Sequence, residues 1–281
     1  MGLFSFTQEI AMDLGTANTI IISNGKIVVD EPSVVALDRH TDKMIAVGGK
    51  AKMMHEKTHD NIRTIRPLRD GVIADFYACE QMMRGLVKMV NTGHRLFSPS
   101  LRMVIGVPSG STEVELRAVR DSAERAGGRD VYLLFEPMAA AIGVGIDVEA
   151  PEGNMIVDIG GGTTDVAVIS LGGSVVSTSL KVAGDKFDEY IIKYIKRRHN
   201  VIIGDRTAED LKINIGCVYP KFQDMEMDIR GRDLTTGLPR TVTIYSSEMM
   251  EALEEPAMMI IDAVHSVLEK TPPELAADIS D

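Results

Sequence analysis

Apolar residues recur along the chain in two periods, and each period predicts its own kind of element. Runs rich in β-branched residues, bounded by glycine, proline or polar turns, have the length and pattern of strands. Segments whose apolar residues return every three or four positions are typical of amphipathic helices. The predicted strands are residues 10–14, 18–22, 33–37, 44–48, 103–108, 131–135, 155–159 and 164–168, with an antiparallel hairpin within 221–244.

The predicted helices begin and end at recognisable residues. Thr112 and Glu115 have the spacing of a capping box, and the Gly127-Gly128 pair marks the end of that helix. Pro137 suits the first turn of another helix. The helical segments are 78–90, 112–126, 136–142, 184–199, 207–212 and 247–270, and residues 65–73 are predicted to form a loop. Strands and helices interspersed in this way predict an α/β protein with mixed sheets.

Two glycine-centred turns repeat one another across half of the chain. The first follows a strand in Met12-Asp13-Leu14-Gly15-Thr16-Ala17-Asn18, and the second does so in Val157-Asp158-Ile159-Gly160-Gly161-Gly162-Thr163. Each places Asp-x-Gly at the end of one apolar run and hydroxyl residues before the next. Glycine lets backbone approach a ligand closely, so that successive N–H groups can converge on a phosphate, while the aspartate can hold a hydrated metal ion.

Either turn alone is equally well read as an ordinary hairpin, because glycine and threonine are common turn residues. The matched pair is more specific, since two facing copies would hold one polyphosphate from both sides. The pattern is not a Walker A loop, because G-x-x-x-x-G-K-[ST] is absent from the sequence. It is not a dinucleotide-binding fingerprint either, because a strand rather than a helix follows each turn.

Composition narrows the class of protein. The chain has 281 residues, 44% of them hydrophobic, which is enough for a large core divided between two lobes. A net charge of −11 argues against nucleic-acid binding. Cys79 and Cys217 have no zinc-ligand spacing, and no signal sequence or long apolar span occurs, so we expect a protein of the reducing cytoplasm.

Two short apolar segments stand apart from this pattern. One is the start of the chain, with Leu3, Phe4 and Phe6, and the other is Leu96-Phe97, which lies between arginine and proline as at a loop tip. Packing on the segment's own domain and insertion into a lipid interface are both open at this point.

The two turns resemble those of the actin, sugar-kinase and DnaK-type ATPase superfamily, and more narrowly the chain is similar to the MreB family of bacterial actins. Further matching segments are 66–75, 106–109, 136–143, 207–212 and 271–276, so the resemblance spans essentially the whole chain. It implies an actin-like α/β fold of two lobes, each a mixed sheet with helices and a small subdomain, with a nucleotide cleft between them. The implied division is 1–31 and 67–145 for the first core, 32–66 for its subdomain, 146–180 and 246–281 for the second core, and 181–245 for its subdomain.

The resemblance also implies roles for individual residues. Asp13 and Asp158 would hold Mg²⁺ through water, and Glu136 and Thr163 would orient the water that attacks the γ-phosphate of ATP or GTP. The residues implied to bind the nucleotide are Gly15, Thr16, Ala17, Asn18, Gly160, Gly161, Gly162, Thr163, Gly184, Glu209 and Lys212. Leu96 and Phe97 would enter the membrane.

Two departures from the family pattern carry expectations. The family usually continues the second turn as Thr-Thr-Glu, whereas this chain has Asp165, a change expected to be mild. In the family, a further strand, a glycine-rich turn over the purine and a final helix follow residues 277–280. We therefore expect weakened adenine binding and poor polymerisation in the chain as given.

The function implied is slow Mg²⁺-dependent ATP hydrolysis coupled to filament assembly beneath the cytoplasmic membrane, where the filaments organise wall synthesis and rod shape. Its partners would be further copies of the chain, membrane lipid and membrane proteins of the wall-synthesis complex, and not nucleic acid. A small-molecule kinase is the second hypothesis. A chaperone ATPase is disfavoured, since no substrate-binding domain follows.

Overall fold

The structure is a computed structural model that describes residues 7–55, 57, 60–90, 100–220 and 223–280. The strands are β1 (Thr7–Leu14), β2 (Asn18–Ser23), β3 (Lys26–Pro32), β4 (Val35–Asp38), β5 (Met44–Val47), β6 (Ile62–Ile65), β7 (Leu68–Arg69), β8 (Val72–Ile73), β9 (Ser100–Val107), β10 (Gly128–Phe135), β11 (Asn154–Ile159), β12 (Thr164–Ser170), β13 (Gly173–Leu180), β14 (Val201–Ile202), β15 (Glu226–Asp233) and β16 (Pro239–Tyr245). The helices are α1 (Gly49–Met54), α2 (Phe76–Val90), α3 (Glu113–Arg125), α4 (Glu136–Gly143), α5 (Gly184–His199), α6 (Asp205–Ile215), α7 (Ser246–Lys270) and α8 (Pro273–Ile279).

Contacts divide the chain into two compact units. One comprises Met1–Ser179 with Thr271–Asp281, and the other is Leu180–Lys270. The four-part division implied by the resemblance is finer than this and stays a prediction.

A five-stranded sheet in the order β10-β9-β1-β2-β3 organises the first unit. β1 runs parallel to β9 and antiparallel to β2, so the chain turns back sharply between β1 and β2 and places that turn at one end of the sheet. The alternating pattern of β1 buries Ile10, Met12 and Leu14 and leaves Asp13 on the opposite face. The buried side chains pack with Met82 and Leu86 of α2 into one core, which fixes the position of the turn.

The first unit contains further sheets, in the orders β11-β12-β13, β5-β4-β6 and β7-β8. All seven residues of β12 are buried, so both faces of this central strand are covered, because successive side chains of a strand point to opposite faces. In the β11–β12 hairpin, Asp158 lies directly opposite Asp165. The second glycine turn joins these two strands.

The second unit, described by itself, packs α5, α6 and α7 with the sheet β14-β15-β16. Its core includes Ile191, Ile195, Leu211, Ile244 and Leu253, all of them buried. The long α7 agrees with the predicted helix over 247–270, and β15 and β16 form the predicted hairpin.

Local signals in the sequence account for several helix ends. Thr112 and Glu115 form the predicted capping box at the start of α3, with the Thr112 side chain accepting a hydrogen bond from the Glu115 N–H. The loop predicted for 65–73 is wrong in part, because β7 and β8 form a small hairpin there. Helix α8 was not predicted. It is tied to the start of β11 by a 2.8 Å hydrogen bond from Gly153 N–H to Asp278.

Candidate functional site

The first glycine turn is held by a buried serine from the connection between β3 and β4. Ser33 donates its hydroxyl to the Gly15 carbonyl at 2.6 Å and its N–H to the Ala17 carbonyl at 2.9 Å. Thr19 lies 2.8 Å from the same hydroxyl, joined by a hydrogen bond. Because these bonds occupy carbonyl groups of the turn, they fix its shape.

The second glycine turn is closed by its own backbone. Gly160 donates its N–H to the Thr163 carbonyl at 2.9 Å, which continues the β11–β12 ladder around the corner. Thr163 ends the turn and is only 8% exposed.

The two turns meet at van der Waals distance. A Cβ placed on Gly161 would lie 2.6 Å from the Ala17 Cβ, and one on Gly162 would clash with the Thr16 hydroxyl oxygen. Side chains at these positions would push the turns apart, so glycine is required for the close approach. The facing arrangement inferred from the repeat is therefore present within the first unit.

A third turn, which the sequence analysis treated as a plain loop, joins the pair. Gly71, at φ 76°, ends the β7–β8 turn and donates its N–H to the Thr16 hydroxyl at 3.0 Å. A Cβ on Gly71 would lie 2.6 Å from Thr163 Cγ2 and 3.0 Å from Pro108 Cγ. The signal that could have located it is Asp70-Gly71, a dipeptide that favours tight hairpin turns.

The turns line a cavity of about 470 Å³. Of the residues that the resemblance implies for the site, the following lie in its lining: Asp13, Gly15, Thr16, Ala17, Asn18, Glu136, Asp158, Gly160, Gly161, Gly162 and Thr163. The wall thus combines backbone N–H groups of glycine-rich turns with three carboxylates. Backbone N–H groups of such turns can bind phosphate oxygens. Because the phosphate and the three carboxylates are all negatively charged, a cation would be needed beside them.

Burial and mutual repulsion raise the pKa values of the three carboxyl groups in the cavity wall. Burial is the main cause that raises the pKa of Asp13, and the charge of Asp158 adds to it. Burial also raises the pKa of Asp158, with Asp165 contributing. The pKa of Glu136 rises to about 8, chiefly through burial and then through the charges of Asp165, Asp13 and Asp158. The bare site therefore disfavours its own negative charges.

Glu136 reaches the cavity because it begins α4 directly after β10. A Cβ on Gly106, in the neighbouring strand β9, would be 3.4 Å from the Glu136 Cγ, so the strand passes close beneath the side chain. The carboxyl group is thereby positioned at a strand end, where a reacting water can be oriented.

The remaining nucleotide residues implied by the resemblance belong to the second unit. Lys212 of α6 donates to the Gly184 carbonyl at 2.9 Å and pairs with Asp188 at 2.9 Å. Burial raises the pKa of Asp188 to about 6 against the opposing effect of Lys212. Gly184 and Lys212 are therefore in contact, and Glu209 lies one helical turn before Lys212; their roles stay predictions.

Two further expectations concern metal and membrane. Among the described residues there is no group of three or more acidic, histidine or cysteine side chains that could cage a metal ion. That Asp13 and Asp158 hold Mg²⁺ through water stays a prediction. Mg²⁺ prefers oxygen ligands, and carboxylates and water provide them.

Leu96 and Phe97, like Leu3, Phe4 and Phe6, lie outside the described residues. Within the part described, each helix is too short or too polar to span a bilayer.

Comparison with known proteins places the chain in a family. The family model described as MreB/Mbl protein matches residues 7–281. The chain is 52% identical over 277 residues to the cell shape-determining protein Mbl of Bacillus subtilis, covering 98% of this chain and 83% of that protein. It is 50% identical over 281 residues to the cell shape-determining protein MreB of Escherichia coli, with 98% and 81% covered.

Solved structures agree. ADP-bound MreB5 of Spiroplasma citri matches with a TM-score of 0.90 at 41% identity, over 97% of this chain and 82% of that one. A MamK double helical filament matches with a TM-score of 0.80 over 97% of this chain and 83% of that one, at 22% identity, which supports the fold alone. The expected actin-like α/β fold is confirmed, and the chain belongs to the MreB/Mbl family.

Proposed function

We propose that this chain is an actin-like cytoskeletal ATPase whose Mg²⁺-dependent hydrolysis of ATP is coupled to the assembly of shape-determining filaments. The observation that carries the proposal is the pair of facing glycine turns with Asp13, Asp158 and Glu136 on the same cavity wall. Support comes from relatives: MreB5 of Spiroplasma citri binds ADP and AMPPNP, and the named relatives are cell shape-determining proteins.

The backbone of the two turns binds the β- and γ-phosphates. Amide groups of Gly15 to Asn18 act from one side and those of Gly161 to Thr163 from the other, while the Gly160 N–H is already donated to the Thr163 carbonyl. Asp13 and Asp158 would hold Mg²⁺ through water, and the bound ion would supply positive charge against the phosphates and the carboxylates. GTP has the same phosphates and would be held by the same turns.

Glu136 and Thr163 orient the attacking water. Hydrolysis of a γ-phosphate depends on alignment and charge neutralisation more than on a strong base, so a carboxyl and a hydroxyl group beside the water suffice. With a pKa of about 8 in the bare protein, Glu136 is mostly protonated at neutral pH. Positive charge in the cavity lowers that pKa and favours the carboxylate, which accepts a hydrogen bond from water.

The filaments act at the inner face of the cytoplasmic membrane. Leu96 and Phe97 insert into lipid, and burying one such side chain contributes roughly 1.5–3 kcal/mol. Two residues attach a monomer weakly, whereas a filament binds through many copies at high effective concentration. Membrane proteins of the wall-synthesis complex are the further partners, and nucleic acid is not among them.

The test combines phosphate release with sedimentation and electron microscopy. The wild-type chain should release phosphate from Mg²⁺-ATP more slowly than a version extended by the family's C-terminal segment, and the extended version should form filaments. Asp13→Ala and Asp158→Ala should lose Mg²⁺-dependent nucleotide binding or turnover in both versions. Asp121→Ala, on the exposed face of α3, is the matched control. Undiminished turnover in both site variants would refute the assignment. Phosphotransfer to a sugar or short acid, with no sedimentable polymer, would instead favour a kinase.

A further inference from the structure

Asp165 is a buried carboxylate beside the site that none of the roles above uses. It lies on β12, two residues after Thr163, and is 1% exposed. One carboxylate oxygen accepts hydrogen bonds from the Ser109 N–H at 2.7 Å and the Ser109 hydroxyl at 2.6 Å. The other oxygen accepts the Ser179 hydroxyl at 3.2 Å. A buried carboxylate with three donors is fixed in place.

These bonds hold the loop after β9, which forms one wall around the Thr163 side chain. Ser109 follows Pro108 in this loop. Pro108 in turn lies next to Gly71, because a Cβ on Gly71 would be 3.0 Å from the proline ring. The same Cβ would be 2.6 Å from Thr163 Cγ2 and 3.3 Å from Thr163 Oγ1. Gly71 therefore touches both Pro108 and Thr163, and these contacts define the space open to the threonine rotamer.

We propose that Asp165 is a positioning residue for hydrolysis: by holding Ser109, and with it Pro108 and Gly71, it fixes the rotamer of the Thr163 hydroxyl. The inference rests on the proposed function, because Thr163 must orient the attacking water for its rotamer to matter. Asp165 touches neither phosphate nor water in this scheme. Its positioning effect acts through Thr163, while its negative charge separately contributes to the raised pKa of Glu136 and of Asp158.

The substitution Asp165→Asn separates the effect of the hydrogen bonds at this position from the effect of the negative charge. Its amide oxygen can keep both bonds from Ser109, and its amide nitrogen can donate to the Ser179 hydroxyl, which accepts as well as donates. Asp165→Asn therefore preserves the contacts and removes the charge. Asp165→Ala removes the contacts and leaves the Ser109 N–H without its partner.

The experiment is a double-mutant cycle on ATP hydrolysis by the full chain, with nucleotide affinity measured separately. Asp165→Ala should lower kcat roughly 10- to 100-fold while changing the Kd for Mg²⁺-ATP less than about threefold, since a small misplacement of a catalytic group has effects of this size. Asp165→Asn should retain kcat within about threefold. In a Thr163→Ala background, Asp165→Ala should reduce kcat by less than about twofold further, because the group it positions is already absent.

A second set of variants keeps the test open if Asp165→Ala fails to fold. Ser109→Ala and Ser179→Ala each remove one hydroxyl donor, and their double variant should lower kcat without a matching loss of affinity. Ser170→Ala, on the same buried strand, is the control and should behave as wild type.

The outcomes separate this inference from the proposed function. No turnover by the wild type would overturn both. Turnover by the wild type combined with additive effects of Thr163→Ala and Asp165→Ala would overturn only the positioning role. An Asp165→Asn variant as slow as Asp165→Ala would also overturn it, since charge rather than geometry would then be the cause.

Discussion

The raised pKa of Glu136 makes a quantitative prediction about stability in the absence of Mg²⁺ and nucleotide. The carboxyl group titrates near 4.5 when freely exposed and at about 8 in the folded chain. The folded state therefore holds a proton that the unfolded state releases. The stabilisation is fully present below the unfolded pKa and is lost as the pH rises through the folded pKa.

The perturbation is Glu136→Gln, which mimics the protonated carboxyl and cannot titrate. One proton of difference changes the free energy of unfolding by about 1.4 kcal/mol per pH unit. Between about pH 5 and about pH 7.5 the wild type should therefore lose roughly 3 kcal/mol relative to the variant. For a chain of this size that corresponds to a relative fall in melting temperature on the order of 6 °C.

The assay is thermal unfolding of both proteins in chelator across that pH range. Glu124→Gln, an exposed carboxylate on α3, is the matched control and should melt in parallel with the wild type. The Glu136→Gln curve should lie progressively above the wild type as the pH rises. Parallel curves for all three proteins would show that Glu136 is not held protonated by burial, and the reasoning about the bare site would be refuted.

The remaining predictions concern the turns and the membrane. Gly161→Ala should weaken Mg²⁺-ATP binding at least tenfold in calorimetry, because the added methyl group would clash with Ala17. Gly143→Ala is the control, since a Cβ there would have no neighbour within 4 Å. Equal losses of affinity in the two variants would contradict the steric argument. Changing Leu96 and Phe97 together to Ser should leave melting temperature and polymerisation intact while abolishing co-flotation with liposomes. A destabilised variant that still floats would place these residues in the core.

Much of the site could be predicted from sequence because its parts are local. Asp13 and Asp158 stand beside their turns in the chain, so the repeat indicates both the glycine turns and the carboxylates that line the cavity. The capping box at Thr112 and Glu115 is local too, and the structure contains it. Hydrophobic periodicity predicted most strands and helices for the same reason, since each pattern spans a single element.

Only the tertiary structure determined which distant segments complete the site. Gly71, Ser33 and Ser109 come from three separate connections. Their hydrogen bonds to Thr16 and Gly15 of the first glycine turn and to Asp165 of β12 span 55, 18 and 56 positions of the chain. No local pattern encodes such pairings. The raised pKa of Glu136 has the same origin, because burial and the charges of Asp165, Asp13 and Asp158 act on it only after β1, β10 and the β11–β12 hairpin have packed together.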